Sequence, residues 1–179
     1  MLQLLCVITK KVIYAMNIFK TSISAATMLF VMSNFAAAET VVPTTGHGYS
    51  TVTASTTTPL ADGSIFIEQT SHGVWVATAS AANFPSPIAA DCHTKLLLSA
   101  QGANIATRGI CKTIDIDGDG FIATNGASAP DFSDCNWTMY GGSGKYAGVT
   151  GSGTCAQGGP FTTTGNDSQF SWKGEWVLP

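Results

Sequence analysis

The sequence predicts an all-β protein, an antiparallel sheet or barrel of eight or nine strands. Nineteen glycines and only eight Lys and Arg argue against a helical bundle, because glycine disfavours helix interiors. Short runs rich in Val, Ile, Thr and aromatic residues alternate with turn residues, which is the pattern of antiparallel strands. With 45% hydrophobic and 11% charged residues, the chain belongs to the globular class rather than the disordered one.

Several runs have strand composition and are joined by turn or loop signals. The runs are 47–56, 64–70, 74–78, 92–98, 104–111, 135–140, 149–155 and 169–178, with short strands on either side of the turn 115–119. We expect a turn at Pro59–Gly63, a hairpin turn at Ser71–Gly73 and one helical turn at Ser143–Ala147. We expect loops at 81–90 and 127–134, the first because its two prolines cannot donate to a strand ladder.

Residues 1–38 have the composition of a signal peptide. Lys10, Lys11 and Lys20 are the only charges before Glu39, an apolar run follows at 23–32, and Ala36, Ala37 and Ala38 form a small-residue cleavage site. Met16 is the better start for a signal peptide of ordinary length. A membrane anchor is the alternative, but the apolar run is shorter than the ~20 residues that a spanning helix needs. We therefore expect cleavage after Ala38 and an exported, periplasmic or secreted protein without membrane contact.

The remaining residues, 39–179, form one expected domain with an acidic surface. They keep five of the eight basic residues and all eleven acidic ones, a net charge of −6. The basic residues are scattered and form no stripe, so we expect no nucleic-acid partner. The glycine-rich stretches lack the Gly-Lys-Ser/Thr sequence of a nucleotide-binding loop.

Four cysteines lie in this domain, and an even number in an exported protein predicts two disulfides. Three pairings are possible in principle. Cys92 and Cys111 lie symmetrically about an expected turn near Gly102, and Cys135 and Cys155 flank the connection around Lys145. The sequence therefore predicts the pairs Cys92–Cys111 and Cys135–Cys155.

An acidic turn matches the first half of a calcium-binding loop. Asp115, Asp117 and Asp119 alternate before Gly120, but position twelve is Gly126 where a bidentate Glu would complete the site. We favour a solvated β-turn rich in Asp and Gly. Weak calcium binding by the three aspartates is the alternative, and no other cofactor is expected.

Three stretches together resemble one family of small barrels. They are the glycine-rich segment 141–154, the Asp-x-Asp-Gly-Asp turn and the final Trp172-x-Gly174-x-Trp176 strand, which cover about the last two-fifths of the chain. They resemble the allene oxide cyclase and dirigent family, and most closely its exported bacterial members. The resemblance implies a closed eight-stranded barrel that holds side chains or one small apolar ligand, with Tyr146 plugging one end. The family's catalytic residues lie in earlier strands without a match here, so the catalytic residues are unknown.

Two functions are consistent with these features. The first is binding of a small apolar molecule, or service as an extracytoplasmic interaction module; its candidate ligand-binding residues are Glu68, Trp75, Trp137, Tyr140 and Trp172. The alternative is an isomerase or cyclase that acts on a lipid-like substrate inside the barrel, with Glu68 as the carboxylate. Alternation places Glu68 on the same strand face as Phe66. An inward Glu68 favours the enzyme, and an exposed one favours binding.

Overall fold

Eight antiparallel strands form a closed barrel in chain order, with the first strand paired to the last. The computed structural model describes residues 39–79 and 87–179. The expected signal peptide lies outside these residues, as do residues 81–86 of the expected loop. The strands are β1 (Thr40–Pro59), β2 (Ile65–Ala79), β3 (Ile88–Leu98), β4 (Asn104–Ile114), β5 (Phe121–Ala127), β6 (Asn136–Gly142), β7 (Thr150–Gln157) and β8 (Asp167–Leu178). The expected all-β barrel is confirmed.

Both disulfides join neighbouring strands as the spacing predicts. Cys92 and Cys111 are direct register partners on β3 and β4, and their Cα atoms lie 4.0 Å apart. Cys135, immediately before β6, is bonded to Cys155 on β7. The predicted pairing is confirmed.

One expected hairpin turn is wrong. Ser71–Gly73 lies inside β2, so the two predicted strands 64–70 and 74–78 are one strand and the barrel has eight strands. Gly73 serves a close strand contact instead, because a Cβ there would lie 2.5 Å from the carbonyl oxygen of Tyr49 on β1. A bulge in β1 between Val52 and Ala54 lies close by, opposite Ser71 and Thr70.

The predicted end of the loop 81–90 is also wrong, because β3 begins at Ile88. Residues 88–90 already belong to β3, where Ile88 and Ala90 point into the core and are buried. Pro87 therefore precedes the strand, where its missing N–H interrupts no ladder bond. The predicted helical turn is present as a short 3₁₀ helix, Gly144–Tyr146.

The connections between strands alternate between the two ends of the barrel, as a meander requires. One end carries the turn 115–120 and the connection 143–149, and we call it the lysine end after Lys145. The other carries the connections 60–64, 99–103, 128–135 and 158–166, and we call it the mouth. No helix in 39–79 or 87–179 is both long and apolar enough to span a bilayer.

The packed core lies toward the lysine end. Its buried members are Ile88, Phe121, Ala123, Met139, Tyr146, Val149 and Trp176. Tyr146 is only 1% exposed, and its ring lies edge-on to Phe121 at 5.1 Å between centroids. The tyrosine therefore fills this end of the barrel, as the family resemblance implies.

Glycines on the inner wall provide room for the large rings. A Cβ at Gly46 would overlap the Trp172 ring, and a Cβ at Gly48 would overlap the Phe170 ring. On β8 itself, a Cβ at Gly174 would lie 2.6 Å from the Trp137 ring. The rings therefore approach bare backbone closely, at positions where a larger residue would displace them.

Candidate ligand-binding site in the barrel interior

An inner chamber of about 80 Å³ lies between the core and the middle of the barrel. Inward positions of seven strands line it, almost entirely with carbon and sulfur. The lining residues that matter below are Trp75, Ala123, Trp137, Phe170 and Trp172, with Tyr146 at the lysine end. Because alternate residues of each strand face inward, this lining follows from the period-two pattern of the sequence.

Three rings form one wall of the chamber. The centroid of Trp75 lies 5.8 Å from that of Phe170 and 6.0 Å from that of Trp172, and Phe170 and Trp172 are themselves 6.0 Å apart. These distances are typical of favourable aromatic pairs. The wall presents both ring faces and ring edges to any molecule in the chamber.

Trp137 on β6, a fourth ring in the lining, is oriented by a hydrogen bond. Its Nε1–H donates to the carbonyl oxygen of Lys173 on β8 at 3.3 Å, so the polar edge of the indole is satisfied by backbone. The apolar part of the ring remains available to the chamber.

A wider outer chamber of about 190 Å³ adjoins the inner one on the side of the mouth. Both disulfides face into it, and Cys111 and Cys155 border both chambers. Ser71, Gln69 and Thr94 make this outer lining more polar. The interior thus changes from apolar to polar from the core toward the mouth.

Asn125 stands at the junction of the two chambers and lines both. Its side-chain oxygen lies over Gly109 on β4, where a Cβ would overlap it. Within 39–79 and 87–179 its amide has no hydrogen-bond partner. It therefore offers one donor group and one acceptor to a molecule that reaches the inner chamber.

The structure separates the five predicted binding residues into two groups. Trp75, Trp137 and Trp172 line the inner chamber. Glu68 and Tyr140 do not line either chamber: the Glu68 side chain is 51% exposed and pairs with Lys95 at 2.9 Å, and Tyr140 is 52% exposed on the outer face of β6. Neither of these two residues is part of the interior lining, and their role in binding stays a prediction.

The sequence reasoning missed three interior residues. Phe170 alternates with Trp172 on β8, and Asn125 alternates with Ala123 on β5, so the alternation contained a signal for both. Phe132 lies in the loop between β5 and β6 and lines the outer chamber from the mouth. No strand periodicity extends into that loop, so the sequence contained no signal for it.

The loop that carries Phe132 has an unusual backbone. Phe132 has φ of 61°, the only positive φ of a non-glycine residue in the described part of the chain, and this conformation costs about 1–2 kcal/mol. Asp134 holds the loop, because its carboxylate accepts hydrogen bonds from the amides of Ser128 and Ala129 at 2.8–3.0 Å. These bonds lower the pKa of Asp134.

The acidic turn at the lysine end holds a lysine. The Nζ of Lys145 lies 2.8 Å from Asp115, 2.7 Å from Asp117 and 3.3 Å from Asp119. The ammonium group thus occupies the position between the three carboxylates that a bound cation would take. In the described parts of the chain no group of three or more His, Cys, Asp or Glu side chains is arranged to hold a metal ion. Calcium binding by these aspartates stays a prediction that the arrangement does not favour.

Asp115 connects this cluster to Tyr146, which closes the inner chamber at the lysine end. Its side chain is fully buried, and it accepts hydrogen bonds from Lys145 and from the amides of Asp117 and Asp119. Burial alone would raise the pKa of Asp115, but the hydrogen bonds outweigh it and lower the pKa. Burial and the hydrogen bond to Asp115 raise the pKa of Tyr146, so the phenol stays protonated.

Comparison with known proteins adds one similar fold. No protein-family model matches the sequence, and no curated protein is significantly similar to it. Among solved structures, the pterocarpan synthase dirigent protein GePTS1 is similar, with a TM-score of 0.45 and 11% sequence identity, over 78% of this chain and 91% of that chain. Similarity at this level carries no argument about function.

Proposed function

We propose that the barrel binds one small, mostly apolar, ring-containing molecule in its interior. The observation that carries this proposal is the chamber bounded by Trp75, Trp137, Trp172 and Phe170, which packing leaves unfilled. Protein interiors are normally close-packed, and a domain of this size gains stability by closing such space. Rings that pack against glycine walls and leave this space open therefore favour a ligand site over incomplete packing.

The arrangement of polar groups supports a ligand with one polar substituent. Apolar rings give most of the contact area, and a single polar side chain, Asn125, lies where the inner chamber meets the outer one. Ligand sites are commonly apolar with a few polar groups that fix orientation. A ring in the inner chamber would direct its substituent toward Asn125.

The position of the carboxylates supports binding over the isomerase or cyclase alternative. Glu68 faces solvent and is paired with Lys95. Asp115, near the floor, is already engaged by Lys145 and two backbone amides. Neither group is free to move a proton on a molecule in the inner chamber.

We further propose that the protein works outside the cytosol. The two disulfides support this, because such bonds persist in oxidising compartments. Residues 1–38 would then be removed as a signal peptide, which leaves a chain that begins at Glu39.

Native mass spectrometry of the protein purified from its own host tests both proposals. We expect a chain mass that corresponds to residues 39–179 with two disulfides, together with a retained small molecule that is released on denaturation. A chain that keeps residues 1–38 would contradict export. Complete absence of any bound molecule, together with failure of the binding experiment below, would contradict the ligand proposal.

Filling the inner chamber should abolish binding without unfolding the barrel. Ala123 is buried and points into the chamber, so Ala123→Leu places three further carbon atoms where the ligand would lie. We expect the Kd for 1-naphthylamine, a two-ring fluorophore whose absorption overlaps tryptophan emission, to rise at least tenfold. The readout is energy transfer from the tryptophans.

The matched control is Ala156→Leu. Ala156 is an exposed residue on the outer face of β7, so the same added carbons meet solvent there. We expect its Kd to equal that of the original protein, and both variants to melt cooperatively. Equal affinity of Ala123→Leu and the original protein would place the probe elsewhere and contradict the proposal.

A further inference from the structure

Phe132 lies at the mouth of the barrel and lines the outer chamber. It lies in the mouth connection between β5 and β6 and lines the outer chamber beside Ala127, Cys135 and Cys155. Residues of the strand walls line the rest of that chamber. Phe132 is thus the one described aromatic side chain that a loop, rather than a strand, contributes to the outer chamber.

The surrounding structure holds Phe132 in this place against the preference of its backbone. Its φ of 61° is in the left-handed region, which phenylalanine rarely adopts. Its amide donates to the carbonyl oxygen of Ala129 at 3.0 Å, and its own carbonyl oxygen accepts from the amide of Cys135 at 3.0 Å. A glycine would adopt this backbone without strain. The presence of phenylalanine at a strained position therefore indicates that the aromatic side chain has a role there.

The loop is also fixed covalently to the chamber wall. Cys135, three residues after Phe132, is bonded to Cys155 on β7, and the amide of Cys155 donates to the carbonyl oxygen of Cys135 at 3.0 Å. On the other side, the carboxylate of Asp134 holds Ser128 and Ala129. Both ends of the loop that carries Phe132 are therefore held in place.

We infer that Phe132 is the gate of the barrel: its ring narrows the mouth and sets the rate at which apolar molecules enter and leave. The part of this inference that concerns ligand exchange rests on the proposed function. The part that concerns access of small solutes to the interior does not. Phe132 therefore sets the rates of ligand entry and exit, whereas the aromatic wall of the inner chamber determines the Kd.

Three variants separate the ring from the backbone. Phe132→Asn removes the ring but keeps a residue that tolerates positive φ, so the loop is retained. Phe132→Tyr keeps the ring. Phe161→Asn is the matched control, because Phe161 belongs to another mouth connection, is 50% exposed, and packs against Tyr49 on the outside of the barrel at 5.7 Å between centroids.

Two measurements on the folded variants test the gate. The first is quenching of tryptophan fluorescence by acrylamide, which reports access to all four tryptophans, each of which lines the inner chamber, and needs no ligand. We expect the quenching constant of Phe132→Asn to be at least twice that of the original protein. The second is stopped-flow exchange of 1-naphthylamine, where we expect both rate constants to rise at least fivefold with a change in Kd of less than threefold. Phe132→Tyr and Phe161→Asn should match the original protein in both.

The outcomes distinguish the two proposals. Increased quenching in Phe132→Asn, without any binding of 1-naphthylamine to the original protein, would support the gate and count against the proposed ligand class. Unchanged quenching and unchanged exchange rates in Phe132→Asn would overturn the gate and leave the ligand site intact. Equal increases in Phe161→Asn would also overturn it, because the effect would then be general to the mouth loops.

Discussion

Reduction of the two disulfides should lower the melting temperature of the protein by about 20 °C, whereas chelation of divalent metals should leave it unchanged. The bridges join cysteines 19 and 20 residues apart. Loops of this length contribute about 3 kcal/mol each through the entropy of the unfolded chain. The pair is then a large part of a total margin of about 5–15 kcal/mol, and each kcal/mol corresponds to about 3 °C. Thermal melts followed by circular dichroism, with reductant or with a chelator, give the comparison.

Removal of one bridge at a time controls for other effects of the reductant. We expect each double variant to lower the melting temperature by about half of the shift that full reduction causes. The two double variants are Cys92→Ala with Cys111→Ala, and Cys135→Ala with Cys155→Ala. The protein with all four substitutions should not respond to reductant. A chelator that lowered the melting temperature by ten degrees or more, while reductant left it unchanged, would reverse the ordering. Asp115, Asp117 and Asp119 would then form a structural metal site.

The strands and the disulfides could be predicted from sequence because both depend on local pattern. Cys92 and Cys111 lie at matching distances from their hairpin turn, and hairpin geometry then places them opposite each other. The same locality explains the error at Gly73. A glycine flanked by polar residues has the composition of a turn, but the contact that requires it is with Tyr49, on another strand.

The interior could be predicted only in part, because alternation fixes which residues share a face but not which face is inward. Glu68 does share a face with Phe66, yet Ile65 and Ile67 on the other face are equally apolar, so composition does not identify the inner one. Tyr140 is different. Alternation already places Tyr140 and Trp137 on opposite faces of β6, so both cannot point inward. The prediction selected them as aromatic residues and did not use this alternation.

Contacts between the ends of different hairpins could not be predicted at all. Lys145 is 30 residues from Asp115 in sequence, and their ion pair arises because two connections meet at one end of the barrel. The register of four strands decides that meeting. The position of Phe132 depends in the same way on a loop whose course follows from Asp134 and the second disulfide.

Substitution of Lys145 by Met should destabilise the protein strongly at neutral pH. Lys145 is the cation that faces Asp115, Asp117 and Asp119, and the Asp115 side chain is fully buried. Removing one partner of a buried ion pair leaves an uncompensated charge and is among the most destabilising single changes. We expect the melting temperature at pH 7 in a calcium-free buffer to fall by about 10 °C. The same substitution at Lys173, an exposed lysine on β8 without an ion pair among the described residues, should change it by less than about 2 °C.

The pH dependence of Lys145→Met identifies the charge as the cause. In the original protein the pKa of Asp115 is lower in the folded state than its ordinary value of 3.8, so the stability from this group is present above that value and is lost as the pH falls through the folded pKa. Without the lysine, burial should raise the pKa of Asp115 above its unfolded value, and acid should then favour the folded state. The difference in melting temperature between the two proteins should therefore shrink steadily from pH 7 toward about pH 3. If the difference stayed constant over that range, the lost contribution would come from packing of the Lys145 side chain and not from its ion pairs with the aspartates.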